Sequence, residues 1–328
     1  MRYDFDPELA PWVPRLARVD YADLGAARAT LRQITARQPA YEPLTPVDVT
    51  HRTVPGPPDG PPVPVRIYRP GEHPEPVPGL IYLHGGGFML GDLDTVHSSA
   101  TRIADQVGAV VVSVDYRLAP EHPFPAAVQD CYAVLEWAAR HAGELGIDPA
   151  HIGVGGESSG GGLAAAVTLL ARDRGGPQLC FQCLMSAELD DRLDTVSARS
   201  FTDTPKFDRA NALVSWTSYL GKLGEPGSSG VPDLAAPGRA ADLSGLPPAF
   251  VSACEFDPMR DEDITYAHRL IQAGVRTELG YYPGTFHASF TIADAAVSQK
   301  MIADQIDALR RGLLGRSPLS RNAAPARG

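Results

Sequence analysis

The stretch His151-Ile152-Gly153-Val154-Gly155-Gly156-Glu157-Ser158-Ser159-Gly160-Gly161-Gly162 decides how the chain is read. Ile152 to Val154 is a short apolar run that predicts a buried strand, and Gly161 to Arg172 carries a helical pattern, so a serine stands where a strand turns into a helix. The five residues Gly156 to Gly160 have the form Gly-x-Ser-x-Gly. At this glycine and serine content about 0.2 chance matches are expected, so context must carry the reading. A serine on a sharp strand-to-helix turn is forced to expose its hydroxyl above the sheet, and glycines on both sides let the backbone pass closely. Ser158 is therefore the candidate nucleophile. Ser159 is excluded by register, because Glu157 stands where its preceding glycine would be. The alternative is a glycine-rich helix start with no chemistry.

On both sides of this turn, apolar runs alternate with amphipathic segments, the signature of a parallel sheet covered by helices. Strands are expected at Leu80–Leu83, Ala109–Val114, Ile152–Val154, Leu179–Leu184, Ala249–Ser252 and Thr277–Tyr282. Helices are expected at Ser99–Val107, Pro125–Ala142, Gly161–Arg172, Asp261–Ala273 and Ala293–Leu313. Val47–Val54 and Val63–Tyr68, joined by a turn with Pro57, Pro58, Asp59 and Gly60, read as an antiparallel opening. Residues 1–45 show helix-period positions around Leu16, Leu24, Leu31 and Ile34. Residues 190–240 break the alternating rhythm and hold one helical pattern, Arg209–Leu220; an insertion of this length is usually functional.

His84-Gly85-Gly86-Gly87 directly follows the strand Leu80–Leu83, and chance predicts about 0.01 such matches. Acyl transfer needs donors aimed at the oxygen that becomes negative, and consecutive glycines let peptide N–H groups turn inward. Gly86 and Gly87, with the N–H of Ser159, form the expected oxyanion hole. A phosphate cradle is the rival, but neither glycine cluster fits Gly-x-Gly-x-x-Gly and no Gly-Lys-Ser/Thr follows. His84 is read as a structural hydrogen-bonding residue. Phe88, Met89 and Leu90 either line the substrate pocket or pack in the core.

A serine hydroxyl needs a base, and the base needs an orienting acid. With the order serine, acid, histidine, only His268 and His287 lie beyond the late strand ending near Cys254. His268 falls mid-helix, so His287, after strand Thr277–Tyr282, is the expected base. Glu255 and Asp257 compete as the acid. Asp257 is preferred by its place in the loop, with Pro258 fixing the turn behind it. Asp261, Glu262 and Asp263 open a helix, where acidic residues suit the dipole.

The 328 residues carry 44% hydrophobic residues and a formal charge of −10 without a basic block, which argues against nucleic acid and anionic membranes as partners. No run is long and apolar enough to span a membrane, so membrane insertion is not expected. Met1–Pro11 lacks the basic-then-apolar pattern of a signal peptide, and a cytoplasmic location is expected. The four cysteines, Cys131, Cys180, Cys183 and Cys254, read as free thiols. Cys180 and Cys183 are placed poorly to share one ion, and no metal or cofactor is expected.

Together these residues resemble the hormone-sensitive lipase family of esterases, the bacterial family IV of the α/β-hydrolase superfamily, from about Val47 to Leu313. The resemblance rests on His84–Phe88, the Ser158 turn, Asp257-Pro258-Met259-Arg260-Asp261, His287 and Asp115-Tyr116-Arg117-Leu118-Ala119-Pro120-Glu121-His122-Pro123. It implies an α/β-hydrolase fold: a mostly parallel eight-stranded sheet flanked by helices, with a helical cap. Residues 1–45 and 190–240 would form the cap, 46–189 and 241–314 the core, and 315–328 a disordered tail. The implied activity is a serine carboxylesterase acting on short- to medium-chain acyl esters of small molecules, without a cofactor. The Asp115–Pro123 stretch would be architectural.

The chain departs from the family at Glu157 and Ser159, where Asp and Ala are commoner, at Ala288, where glycine commonly follows the histidine, and at Leu184–Glu188. These touch the pocket and the histidine loop and remove no catalytic group. Because His287 must be neutral to accept a proton, activity should fall as pH drops through roughly 6 to 7. The same triad would serve an amidase, lactonase or deacetylase, and a non-catalytic binding protein on the same scaffold is the rival from another class. Association into a homo-oligomer is left open.

Overall fold

The computed structural model describes residues 3–71 and 76–315. Eight strands form one sheet in the order β1-β2-β4-β3-β5-β6-β7-β8. They are β1 (Val47–Val54), β2 (Val63–Pro70), β3 (Val77–Leu83), β4 (Val110–Val114), β5 (Ile147–Glu157), β6 (Phe181–Met185), β7 (Ala249–Phe256) and β8 (Thr277–Phe286). β2 is antiparallel to both β1 and β4, while β4, β3, β5, β6, β7 and β8 run parallel. Every residue of β4 and β6 is buried, as expected where helices cover both faces of a parallel sheet.

The helices are α1 (Leu24–Arg37), α2 (His97–Val107), α3 (Ala126–Arg140), α4 (Ala142–Leu145), α5 (Ser159–Arg174), α6 (Val196–Ser200), α7 (Arg209–Leu220), α8 (Arg260–Gln272) and α9 (Ala296–Leu314). Local chemistry sets their ends. The side chains of Asp23, Thr195 and Asp208 accept from Ala26, Ala198 and Asn211 N–H at the starts of α1, α6 and α7. Left-handed glycines, Gly108, Gly175 and Gly315, close α2, α5 and α9.

The observed elements extend some of the expected ones. β5 runs from Ile147, and α5 begins at Ser159 and takes in the glycines 160–162, because the turn leads straight into the helix. α9 begins at Ala296, after a short 3-10 turn at Ser289–Thr291. Among the described residues no helix is long and apolar enough to cross a membrane. The expected disordered tail lies outside the described residues except for Gly315, which caps α9.

The inserted segment meets the N-terminal one. Asn211 of α7 donates to Val19 O (2.9 Å) and accepts from Tyr21 N–H (3.2 Å), and the Tyr21 and Phe207 rings meet edge-on at 5.7 Å. Arg28 of α1 reaches the core, donating to Met89 O at 3.0 Å and to both oxygens of Glu121 at 2.6 and 2.9 Å. Farther upstream, Phe5 and Leu9 pack on Phe286 at the end of β8.

Candidate active site

The four segments singled out in the sequence converge because each directly follows a parallel strand: His84–Gly87 after β3, Ser158 after β5, Asp257 after β7 and His287 after β8. Parallel strands end at one edge of the sheet, and that edge is where such folds gather functional groups.

Ser158 sits at φ 55°, ψ −124°, a strained conformation for a residue with a side chain. Its neighbours hold it there: Ser158 N–H donates to Met185 O (2.8 Å), and Ser158 O accepts from Gly162 N–H and Glu188 N–H (both 3.1 Å). The turn also presses on β3. A Cβ at Gly160 would lie 2.2 Å from Leu83 O and 2.5 Å from His84 O, so only glycine permits this approach. Glu157, the longer acid in place of Asp, accepts from the Tyr82 hydroxyl at 2.7 Å.

The Ser158 Oγ lies 2.9 Å from His287 Nε2, and His287 Nδ1 lies 2.7 Å from Asp257 Oδ2. Asp257 is fully buried, and its other oxygen accepts from Met259 N–H at 3.0 Å. Burial opposes protonation of His287, but the Asp257 charge and hydrogen bond, with Glu188 beyond, outweigh it and raise the imidazole above its ordinary 6.5. The competing acid, Glu255, is engaged elsewhere, accepting from Gly284 N–H at 2.6 Å. His268 is exposed on α8.

The glycine loop lies against this turn, since a Cβ at Gly85 would come within 3.1 Å of Ser158 Cβ. Gly86 (φ 130°) and Gly87 (φ 58°) both take left-handed backbone. Ser159 begins α5, where N–H groups have no partner within the helix and meet the positive end of its dipole. His84 is buried, stacked on Tyr116 at 4.2 Å and bonded through Nδ1 to Gly85 O at 2.9 Å. Burial lowers its pKa to about 4, which keeps it neutral.

Phe88, Met89 and Leu90 are all buried, and the Phe88 ring stacks on Tyr219 at 3.9 Å and leans on Trp216 at 5.3 Å. Packing therefore accounts for Phe88. The Asp115–Pro123 stretch supports the same loop: Ala119 N–H donates to Phe88 O (2.9 Å), while Arg117 pairs with buried Asp130 (2.7 Å). On α8, Glu262 and Asp263 accept from Leu189 N–H (2.7 Å) and Ala187 N–H (2.9 Å), holding the segment after β6. That segment brings in Glu188, a buried acid 2.9 Å from the Ser215 hydroxyl, which the sequence marked only as lying in an unusual stretch.

A protein-family profile described as alpha/beta hydrolase fold matches residues 80–291. The chain is 43% identical over 269 residues to the carboxylesterase NlhH of Mycobacterium tuberculosis, covering 81% of this chain and 82% of that one. It is 40% identical over 260 residues to the esterase LipI of the same organism, covering 77% of each. Among solved structures, a bacterial heroin esterase superposes with a TM-score of 0.92 at 46% identity, covering 96% of this chain and 99% of that one. With the site at the strand ends and these likenesses spanning most of its length, the chain belongs to the hormone-sensitive-lipase-like family of α/β-hydrolases, a family of carboxylic ester hydrolases.

Proposed function

We propose that this carboxylic ester hydrolase works by two-step acyl transfer, with Ser158 as nucleophile, His287 as general base and acid, and Asp257 as the orienting acid. The observation that carries the reading is the continuous chain Ser158 Oγ, His287 Nε2, His287 Nδ1, Asp257 Oδ2, with links of 2.9 and 2.7 Å. In the first step the Ser158 oxygen attacks the ester carbonyl while its proton passes to His287 Nε2. The N–H groups of Gly86, Gly87 and Ser159 stabilise the negative oxygen of the tetrahedral intermediate. His287 returns the proton to the departing alkoxide, which leaves as the alcohol. Water then repeats the sequence on the acyl-enzyme: His287 takes its proton, hydroxide adds, and Ser158 leaves with the proton restored.

The substrates are esters of small molecules with short to medium acyl chains. Two features support this size. Phe88, Trp216 and Tyr219 fill the space beside the glycine loop, and the Phe207 ring stands 4.8 Å from that of His287. Residues 1–45 and 190–240 act together as the cap, and the protein works in the cytoplasm.

The test is reaction with a fluorophosphonate beside turnover of p-nitrophenyl acetate. Parent protein should label covalently and turn over, and S158A should do neither, with kcat reduced by about 10⁶. Labelling that persists in S158A would assign the nucleophile elsewhere. Because His287 is raised above 6.5, the parent rate should fall as pH drops through a midpoint above that value. A rate that stays level from about pH 5 to 9 would remove His287 from the base role.

A further inference from the structure

We infer that Glu188 and Ser215 are positioning residues that brace the oxyanion loop, and that ionisation of Glu188 releases the brace. The inference rests on the acyl-transfer reading of Ser158, Gly86 and Gly87 above. It begins with one hydrogen atom. The Ser215 hydroxyl, on α7, stands 3.0 Å from Gly87 O and 2.9 Å from Glu188 Oε1, yet a hydroxyl can donate to only one acceptor at a time. With Glu188 protonated, its O–H donates to Ser215 Oγ and the Ser215 O–H donates to Gly87 O, so both contacts are hydrogen bonds. With Glu188 ionised, the carboxylate is the stronger acceptor and draws the Ser215 proton to itself. Gly87 O then faces an oxygen lone pair.

The position of Gly87 gives this choice its consequence. Its carbonyl follows directly on the peptides whose N–H groups are proposed to hold the oxyanion. Pinning that carbonyl fixes the aim of a glycine at φ 58°, which no side chain restrains. Glu188 itself is fully buried, and its second oxygen, Oε2, is buried with no hydrogen-bond partner among the described residues. An unpaired buried carboxylate oxygen disfavours the charged form.

The groups around Glu188 decide where it titrates. Tyr21 faces it from the N-terminal segment, Tyr116 from beyond β4, Asp257 and His287 from the loops after β7 and β8, and Glu262 from α8. Burial raises the pKa of both tyrosines, which stay neutral near pH 7, and burial also raises that of Glu262. Burial pushes Glu188 up to about 7, against the Ser215 hydrogen bond and any charge on His287, with Asp257 adding to the rise. Glu188 and His287 each feel the other's charge, so they titrate as a coupled pair. Neutral His287 is needed throughout, so what the second titration adds is a loss of rate on the alkaline side, where Glu188 becomes charged.

The experiment compares kcat for p-nitrophenyl acetate from pH 6 to 9 in the parent, E188Q and S215A. The side-chain amide introduced by E188Q can donate to Ser215 at every pH, so this variant should show no alkaline decline. Complete ionisation of Glu188 should lower kcat about fivefold, the rate equivalent of one neutral hydrogen bond. With Glu188 at about 7 it is already half charged at pH 7, so the parent should fall about threefold between pH 7 and 9 relative to E188Q. S215A should run at a lower rate with no alkaline decline, because the carboxylate has lost its route to Gly87. E188Q should also move the acid limb to lower pH, since one of the charges raising His287 is gone. A parent that turns over without an alkaline decline, or a decline of equal size in S215A, overturns the brace while leaving the acyl-transfer reading intact. A parent that neither turns over nor labels at Ser158 instead overturns that reading. If E188Q fails to fold, the parent and S215A profiles still decide the question.

Discussion

The turn that carries Ser158 and the loops that carry Gly87 and His287 face one point but are held by different parts of the chain. The Ser158 turn is clamped by the sheet itself: Met185 at the end of β6, Leu83 at the end of β3, and the first turn of α5. The glycine loop is held largely by the inserted and N-terminal segments, through Ser215 to Gly87 O, Tyr219 against Phe88 and Arg28 to Met89 O. The histidine loop is held likewise, with Phe207 against the His287 ring and Lys206 Nζ donating to Ala288 O at 2.9 Å. The geometry of the proposed nucleophile is thus a property of the fold. The aim of the glycine loop and of the proposed base is set largely by the inserted and N-terminal segments, where substitution can retune the reaction without dismantling the sheet.

Two glycines separate these halves experimentally. In G160A the new methyl would meet backbone atoms of Leu83 and His84 at 2.2 to 2.6 Å, forcing α5 away from β3. We expect a loss of about 3 kcal/mol or more, read as a lowered urea midpoint or loss of soluble protein. In G86A the clash is equally close, 2.2 Å from Leu90 O, but it falls within the loop and at φ 130°. The loop should yield before the sheet does. The expected result is a fall of about 10² to 10³ in kcat, the scale of a lost oxyanion donor, with a smaller loss of stability than in G160A. If both substitutions destabilise equally with kcat preserved in G86A, the loop is not the separable part.

The same division decided what could be read from the sequence. The Ser158 turn and His84–Gly87 were legible because the residues that make each turn are consecutive: an apolar strand and then glycines, followed at Ser158 by a helix. His287 emerged by position after the last strand, and Asp257 over Glu255 by loop placement; Glu255 instead holds Gly284 of β8. The length of β5 was not legible. Asp148, Pro149 and His151 look like a turn, and Gly155 and Gly156 are poor strand formers, yet ladders to β3 and β6 keep Gly153–Gly156 extended. The Glu188–Ser215 contact was also beyond reach, because no periodicity links a residue after β6 to one in the middle of an inserted helix. Phe88–Leu90 illustrates the remaining ambiguity. An apolar triplet suits a pocket wall and a core equally, and it took the partner ring of Tyr219 to show where Phe88 packs.

The smallest predicted effect tests whether the histidine loop stores strain. Ala288 follows the proposed base in left-handed backbone, φ 54°, ψ 25°, where a Cβ costs roughly 1 to 2 kcal/mol relative to glycine. Its carbonyl accepts from Lys206 Nζ and from Thr291 Oγ1, both at 2.9 Å, so the conformation is imposed by its neighbours. In A288G the folded state loses the Cβ penalty, while the unfolded chain gains about 0.4 to 1 kcal/mol of conformational freedom. The balance is a net stabilisation of about 0.5 to 1 kcal/mol, measurable as a higher urea midpoint at unchanged m-value. A lower midpoint would mean that Ala288 is relaxed where it stands, and that the hold exerted by Lys206 on the histidine loop costs the fold nothing. A higher one would show the insertion bending a loop that the sheet alone would leave slack, which is the difference between the two halves of the site expressed as an energy.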